Sequence, residues 1–194
     1  MGYTFPFETE TRDELIDWLL EHQHEPSRCE ILDHSRRGNV LYVVFHNRVD
    51  DYRFIAVFLL QGPTPASGCS GDRAWGYKDM DESMGPYVKD CPERLLKQSD
   101  VQCPEAVAWR EACRTLRKAK ARRRRLASQS RPGDRLRYHL GSSREGDVVI
   151  TIDFVRAHTS TFFIGRDATG RMWRYRWDRV VIDPPQASHD CNAA

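Results

Sequence analysis

The sequence predicts an α+β protein, in which an antiparallel sheet with packed helices is followed by a basic connecting helix and a small SH3-like β-barrel. Two almost continuously apolar runs, VLYVVF and FIAVFLL, are typical of strands in a sheet that is covered on at least one face. Residues 110–125 contain nine basic residues and one acid, which favours an exposed helix beyond the apolar stripe. Five short strand-like segments follow, as in small barrels.

The first helix is predicted from its start signal and its apolar stripe. Thr11 and Glu14 form a capping-box pattern, in which each side chain satisfies a free amide at the helix start. One helical face behind the box carries Leu15, Trp18, Leu19 and His22. Pro26 ends the helix, so we expect His22 and His24 to meet the negative end of the helix dipole rather than a metal.

Three strands are predicted at 29–34, 40–46 and 52–60, and they form an antiparallel meander on which the first helix packs. Residues 61–90 show no periodicity and are rich in Gly, Pro, Ser and Asp. We therefore expect a long loop there, of the kind that is usually functional, mobile or partly structured.

Two helices are predicted to begin at Cys-Pro-Glu sequences, one at Cys91 and a longer one at Cys103. The apolar stripe of the longer helix consists of Ala106, Trp109, Cys113 and Leu116. Beyond Leu116 the helix is expected to project into solvent, and residues 128–133 are predicted to form a linker or turn. Strands at 136–140, 148–154, 161–165, 172–175 and 179–182 then build the barrel. The predicted domains are an acidic α+β domain (1–109), a basic helix and linker (110–130), and a β-barrel domain with a frayed C-terminal tail (131–194).

Charge is strongly segregated along the chain. The 194 residues carry 30 Lys+Arg and 28 Asp+Glu, for a formal net charge of +2. Residues 1–109 have a net charge of −8, 110–125 of +8, and 126–194 of +2. This asymmetry points to charged partners more directly than the total does.

Several function classes are disfavoured by composition. The sequence has no apolar run that could span a membrane and no secretory leader, so a cytoplasmic protein with no membrane partner is expected. Its six cysteines include no C-x-x-C pair, so a zinc site is disfavoured. No metal site and no cofactor is assigned from the sequence. No motif reaches the strength of a catalytic signature, and enzymatic activity is left open but disfavoured.

The segment from Trp75 to Leu96 has the densest concentration of unusual residues. Lys78, Asp79, Asp81 and Glu82 place three carboxylates beside one ammonium group, a set that can hold a divalent cation or divide into an acid and a base. Cys91, at a helix start, is a further nucleophile candidate, because that position can lower a thiol pKa. A partner-binding surface would instead use Trp75, Tyr77, Asp79, Asp81 and Glu82. The three interpretations are thus catalysis, partner binding and a structural loop anchored by its aromatic residues, and we favour the structural loop.

This segment also carries a resemblance. The opening Met1-Gly2-Tyr3-Thr4, the block 76–86 (GYKDMDESMGP), and Asp90-Cys91-Pro92 resemble a family of small uncharacterised proteins from bacteriophages, plasmids and integrated elements. In that family the segment reads GYKDMDE[ST]-x-GP…DCP, followed by a W-R-x-x-C that 109–113 matches, whereas the usual opening has Trp where Tyr3 stands. The resemblance covers residues 1 to about 116 and not the barrel. It implies that this protein is encoded on a mobile element. Small accessory proteins of such elements often oppose host defence or handle nucleic acid, and the resemblance assigns no catalytic residue.

The basic residues predict a nucleic-acid interface. Its members are Arg114, Arg117, Lys118, Lys120, Arg122, Arg123, Arg124 and Arg125 on the helix, and Arg174 and Arg176 in the tail. Guanidinium groups match phosphate oxygens with paired donors, and four adjacent arginines repel one another without an anionic partner. In the last tail strands, Trp173, Tyr175 and Trp177 are expected to face the core while Arg174 and Arg176 face outward. There are two alternatives. In the first, the basic helix pairs with the acidic head of the same protein or of a second copy; in the second, the helix is a solvated spacer.

Three functions compete at this point. The first is a mobile-element accessory protein that binds nucleic acid or a host nucleoprotein and inhibits host defence, either CRISPR or restriction. The second is a metal-dependent enzyme that uses Lys78, Asp79, Asp81 and Glu82. The third is a structural or assembly protein, in which acidic head and basic helix pair within a homodimer.

Overall fold

The computed structural model describes residues 3–6, 10–65, 73–143 and 146–181. It is an α+β structure with two antiparallel sheets and a few helices, which confirms the predicted class. The chain divides into two compact units, unit 1 (Met1–Arg117) and unit 2 (Lys118–Ala194), and the boundary falls within a long helix. The predicted frayed tail and the Met1-Gly2 pair of the family motif lie outside the described residues.

Unit 1 contains a four-stranded antiparallel sheet in the order β1-β2-β3-β4. Its elements are α1 (Arg12–His22), β1 (Cys29–Arg37), β2 (Val40–Asn47), β3 (Tyr52–Pro65), β4 (Arg73–Asp81), a 3-10 turn (Glu82–Met84), α2 (Glu93–Leu96) and the start of α3 (Pro104–Gln129). The predicted meander of β1, β2 and β3 is confirmed, and each of these strands is longer than predicted.

The prediction of a loop throughout 61–90 is wrong. Residues Arg73–Asp81 form β4, which pairs with β3 from Pro65 to Ala56, and the 3-10 turn follows at once. The pattern WGYKDMD hides the strand because Gly76 and three charged residues replace the apolar residues that mark a strand. Pairing with the long β3 supplies the backbone hydrogen bonds that make this segment a strand.

The first sheet is covered on both faces. Leu41, Val43 and Phe45 of β2 pack with α1, whereas the alternating Tyr42 and Val44 pack with α2 and α3. The runs VLYVVF and FIAVFLL are almost continuously apolar because both faces of β2 and β3 are covered.

The predicted capping box of α1 is present. Thr11 Oγ1 accepts from the Glu14 backbone N–H at 3.2 Å, and Glu14 Oε2 accepts from the Thr11 backbone N–H at 3.1 Å. These bonds place α1 so that Leu15 and Leu19 are fully covered by the sheet.

The long helix α3 begins at Pro104, as predicted, and continues to Gln129. It therefore extends into the segment that was predicted to be a linker. In unit 2, Leu126 and Ala127 pack against the apolar core. The expectation that the helix beyond Leu116 projects into solvent is thus wrong for its last turns.

Unit 2 holds a five-stranded antiparallel sheet in the order β8-β7-β6-β5-β9. The strands are β5 (Arg135–Ser143), β6 (Gly146–Ala157), β7 (Phe162–Arg166), β8 (Met172–Arg176) and β9 (Val180–Val181), with a 3-10 turn (Trp177–Arg179) before β9. All five predicted strand positions are confirmed. The core includes Ile152, Phe163 and Trp177, each of them fully buried. None of the helices in the described part of the chain is long and apolar enough to span a membrane.

Candidate functional site

The acidic segment of β4 and the 3-10 turn does not form one cluster. Trp75 and Tyr77 pack on the α1 side of the sheet, whereas Met80 packs on the α2 and α3 side. Because side chains alternate along a strand, Asp79 shares the face of Tyr77, and Lys78 shares the face of Met80. The four groups proposed for a metal or an acid–base pair are therefore divided between the two faces of the sheet.

Glu82 is fully buried and ion-paired with Arg110 of α3, which is also buried but not completely. Its Oε2 accepts from Arg110 Nη1 at 2.5 Å, and its Oε1 accepts from the Ile55 backbone N–H at 3.0 Å and from the Ser99 hydroxyl. Arg110 also donates to Ser99 Oγ at 2.7 Å and to the Val101 carbonyl at 2.5 Å. Burial raises the pKa of Glu82, while the bonds from Ser99, Arg110 and Ile55 act in the opposite direction. Glu82 thus connects the sheet to α3 and is enclosed by protein.

Sequence reasoning missed the role of Arg110. It belongs to the basic stretch 110–125, yet it lies four residues after Ala106 and three before Cys113, both of which are buried. That helical spacing places it on the apolar stripe, where a charge requires a buried partner.

Asp81 caps the 3-10 turn and lines a pocket. Its Oδ1 accepts from the Ser83 backbone N–H at 2.8 Å and from the Ser83 hydroxyl. The pocket has a volume of about 280 Å³ and is also lined by His24, Tyr52 and Phe54. Within the described residues, no group of three or more His, Cys, Asp or Glu side chains is placed to hold a metal ion.

His24 was predicted to interact with the negative end of the α1 dipole, but its ring packs against aromatic side chains of the sheet. It follows the helix with a φ of 58°, and its ring centroid lies 4.6 Å from that of Phe45 and 5.2 Å from that of Phe54. Burial lowers the pKa of His24, and the charges of Asp79 and Asp81 oppose that effect. His22 does have the expected position, because its Nδ1 lies 3.0 Å from the Trp18 carbonyl in the last turn.

The geometry is contrary to the proposal of Cys91 as a nucleophile. Its side chain is buried against Leu95 and Trp109 in the α2–α3 core, and burial raises the pKa of the thiol, with further contributions from Cys113 and Glu82. Because α2 has only four residues, its dipole offers little to offset the loss of solvation.

The first basic residues of α3 are paired within unit 1. Arg114 Nε lies 3.4 Å from Glu93 Oε1, and Arg117 Nη1 lies 2.7 Å from Glu93 Oε2. These two predicted nucleic-acid contacts are therefore engaged with α2.

The basic residues of α3 in unit 2 are mostly exposed. Arg122 Nη2 donates to the Val180 carbonyl at 2.9 Å, and Arg123 is half-buried near Asp178. The remaining cations are exposed and make no ion pair with any described residue; they are Lys118, Lys120, Arg124 and Arg125.

The second sheet carries a row of arginines on its outer face. Arg174 lies opposite Ile164, and Ile164 lies opposite Arg156, so these three residues share one face across β8, β7 and β6. The guanidinium of Arg174 stands 4.7 Å from the centroid of the Phe162 ring. Arg176 forms a two-point ion pair with Asp178, at 3.0 and 2.7 Å. The pKa of Asp178 is lowered, first by the Arg176 hydrogen bond and also by the charge of Arg123 on α3.

The predicted core position is correct for two of the three aromatic residues in β8 and the 3-10 turn after it. Tyr175 and Trp177 are buried in the core, but Trp173 is 53% exposed. Sequence reasoning also missed Arg156 and Arg166, which are exposed and make no ion pair with described residues. Arg166 follows the core-facing Gly165, so alternation could have found it, whereas the irregularity of β6 between Phe154 and Arg156 breaks the alternation that would have sent Arg156 inward.

Dividing the chain at the unit boundary sharpens the charge map. Residues 1–117 carry 14 Lys+Arg and 20 Asp+Glu, a net charge of −6. Residues 118–194 carry 16 Lys+Arg and 8 Asp+Glu, a net charge of +8. No protein-family model matches the chain, and no curated protein or solved structure is significantly similar to it.

Proposed function

We propose that this chain is a mobile-element accessory protein that binds nucleic acid through unit 2 and inhibits host defence. The observation that carries the proposal is the set of exposed cations in unit 2 that have no acidic partner among the described residues. They include Lys118, Lys120, Arg124 and Arg125 on α3, and Arg156, Arg166 and Arg174 on the outer sheet face.

Phosphate is the anion that suits this set. Exposed cations placed close together on one helix repel each other, and a phosphate backbone relieves that repulsion while releasing condensed counterions. Such contacts do not read bases, so binding is sequence-independent and sensitive to salt. The positive net charge of unit 2 favours approach of a polyanion from solution.

The basic helix and the SH3-like barrel remain parts of this proposal. Their support is the continuous α3 and the pairing of β5 with both β6 and β9, which brings the last strand back to the first. A strand that pairs on both edges in this way is a requirement for closing a small barrel.

The binding step is tested by fluorescence anisotropy of labelled oligonucleotides at a series of KCl concentrations. We compare the wild type with K120Q/R124Q/R125Q, which removes three exposed cations of unit 2. The matched control, R37Q/K89Q/K97Q, removes three exposed cations of unit 1. The unit 2 variant should bind more weakly and lower the slope of log Kd against log salt by about 0.7 to 0.9 per lost contact. Absence of binding by the wild type, or equal losses in both variants, would refute the proposal.

The defence-inhibitor part rests on the resemblance to mobile-element proteins in residues 1 to about 116. We expect expression of this chain to restore transformation by a plasmid that a CRISPR or restriction system otherwise eliminates. K120Q/R124Q/R125Q should restore less, whereas the unit 1 control should match the wild type. If the wild type does not restore transformation, or if all three proteins restore it equally, the chain is not a defence inhibitor that acts through unit 2.

A further inference from the structure

A groove lined by residues of β6, β7 and β8 combines exposed apolar side chains with guanidinium groups. The groove has a volume of about 440 Å³ and is lined by Val155, Arg156, Ile164, Met172, Trp173 and Arg174. Trp173 and Met172 are 53% and 61% exposed, so two neighbouring large apolar side chains of the groove face solvent.

The Trp173 indole is fixed in place although it is exposed. Its Nε1–H donates to Asp167 Oδ2 at 2.9 Å. The other carboxylate oxygen, Oδ1, accepts from the Thr169 backbone N–H at 2.9 Å, the Thr169 hydroxyl at 2.7 Å and the Arg171 backbone N–H at 3.0 Å. The β7–β8 turn thus orients the ring and satisfies its one polar group, so the ring offers solvent an aromatic surface that is already ordered.

Two exposed arginines line the same groove as that ring. Arg174 is held over Phe162, and Arg156 shares the sheet face of Arg174, one strand beyond Ile164. The one carboxylate that touches Trp173 among the described residues, Asp167, is already occupied by the turn. The groove therefore offers an aromatic ring together with cations.

We propose that this groove binds single-stranded nucleic acid, with an unpaired base stacked on Trp173 and neighbouring phosphates held by Arg156 and Arg174. This inference rests on the proposed nucleic-acid binding and names its substrate class. Stacking on an aromatic side chain requires a free base face, which a duplex does not offer. Charge complementarity selects the polyanion, because the groove brings two guanidinium groups to an apolar floor.

The test compares Trp173→Ala and Trp173→Phe with the wild type, using labelled oligothymidylate and a blunt-ended duplex of equal length. Trp173→Ala should weaken single-strand binding about 5- to 140-fold and leave duplex binding nearly unchanged. Its salt slope should stay at the wild-type value, because stacking releases no counterions. Trp173→Phe should retain most of the affinity but lose the fluorescence quenching that the single strand produces in the wild type. Tyr87→Ala, which removes an exposed aromatic side chain of unit 1, is the matched control and should change neither ligand.

The outcomes separate this inference from the proposed function. Wild-type levels of single-strand binding by Trp173→Ala, with K120Q/R124Q/R125Q still impaired, overturn the stacking groove and leave nucleic-acid binding in place. Equal weakening of both ligands by Trp173→Ala also overturns it, because a duplex cannot stack there. Failure of the wild type to bind either ligand overturns the proposed function itself. Thermal melting of each variant checks that the fold is intact.

Discussion

The ion pair between Glu82 and Arg110 is the internal contact whose loss we expect to cost unit 1 most. Arg110→Met keeps much of the side-chain volume but removes the bonds from Arg110 to Glu82, Ser99 and the Val101 carbonyl. It leaves a carboxylate with no exposed surface and no counter-charge. Removing one partner of a buried pair costs about 3–5 kcal/mol, and we expect the free energy of unfolding to fall by that amount.

The matched control is Arg53→Met. Arg53 and Asp100 also form a two-point pair, with both contacts at 2.7 Å, but both side chains are nearly half exposed. Solvent screening limits such a pair to about 0–1 kcal/mol. The two substitutions remove the same kind of group, so the difference between them measures the effect of burial.

The assay is urea unfolding followed by circular dichroism, with hydrogen exchange of the β2 amides to assign the loss to unit 1. The double variant E82M/R110M should lose much less stability than the two single variants together, because it leaves no unpaired buried charge. Lowering the pH should shrink the deficit of Arg110→Met. The buried carboxyl has a raised pKa in the folded state, so protonation stabilises the folded state as pH falls toward that value. An Arg110→Met cost no larger than that of Arg53→Met, or additive single and double variants, would refute this reasoning.

Two further predictions concern titratable groups whose pKa is shifted by burial. Because burial lowers the pKa of His24, its contribution to stability is complete above about pH 6.5 and is lost as the pH falls toward the folded-state value. His24→Asn, which tolerates the positive φ, should therefore flatten the fall in unfolding free energy between about pH 7 and pH 5; an unchanged slope in urea unfolding would contradict this. Burial raises the pKa of Cys113 to about 11 and raises that of Cys91 as well, so iodoacetamide should leave both thiols unmodified in the native protein. Peptide mass spectrometry should find both labelled in urea, and native labelling of Cys91 faster than that of the half-buried Cys103 would show that the thiol is accessible.

The sequence predicted those elements of the fold whose signals are local. The capping box of α1 lies within four residues, and the apolar runs of β2 and β3 are uninterrupted. The strand β4 was missed because its identity depends on a partner strand and on close approaches across the fold. A Cβ on Gly76 would lie 2.4 Å from the Phe5 ring, so this strand position requires glycine for a contact 71 positions away in sequence. No composition rule for the segment contains that information.

The candidate site was predictable in composition but not in geometry. The sequence located the charged residues of β4 and the 3-10 turn, yet alternation along the strand sends Lys78 and Asp79 to opposite faces. It also located Trp173 and assigned it to the core, because alternation alone does not show that the β7–β8 turn holds the indole at the surface through Asp167. These errors have one physical cause, which is that the partner of each group is chosen by tertiary structure.

The arginines of α3 change their partners at the boundary between the two units. Arg110, Arg114 and Arg117 are paired with glutamates of unit 1, so part of the acidity of that unit serves to hold the start of the helix. From Lys118 onward, the helix has lost those acidic neighbours, and most of its cations are left exposed without an ion pair among the described residues. The basic stretch 110–125 therefore contains two kinds of arginine. Those of unit 1 are already paired with carboxylates, and most of those of unit 2 are available to an external anion. Salt dependence should follow only the second kind, which is why substitutions for measuring phosphate contacts belong beyond residue 117.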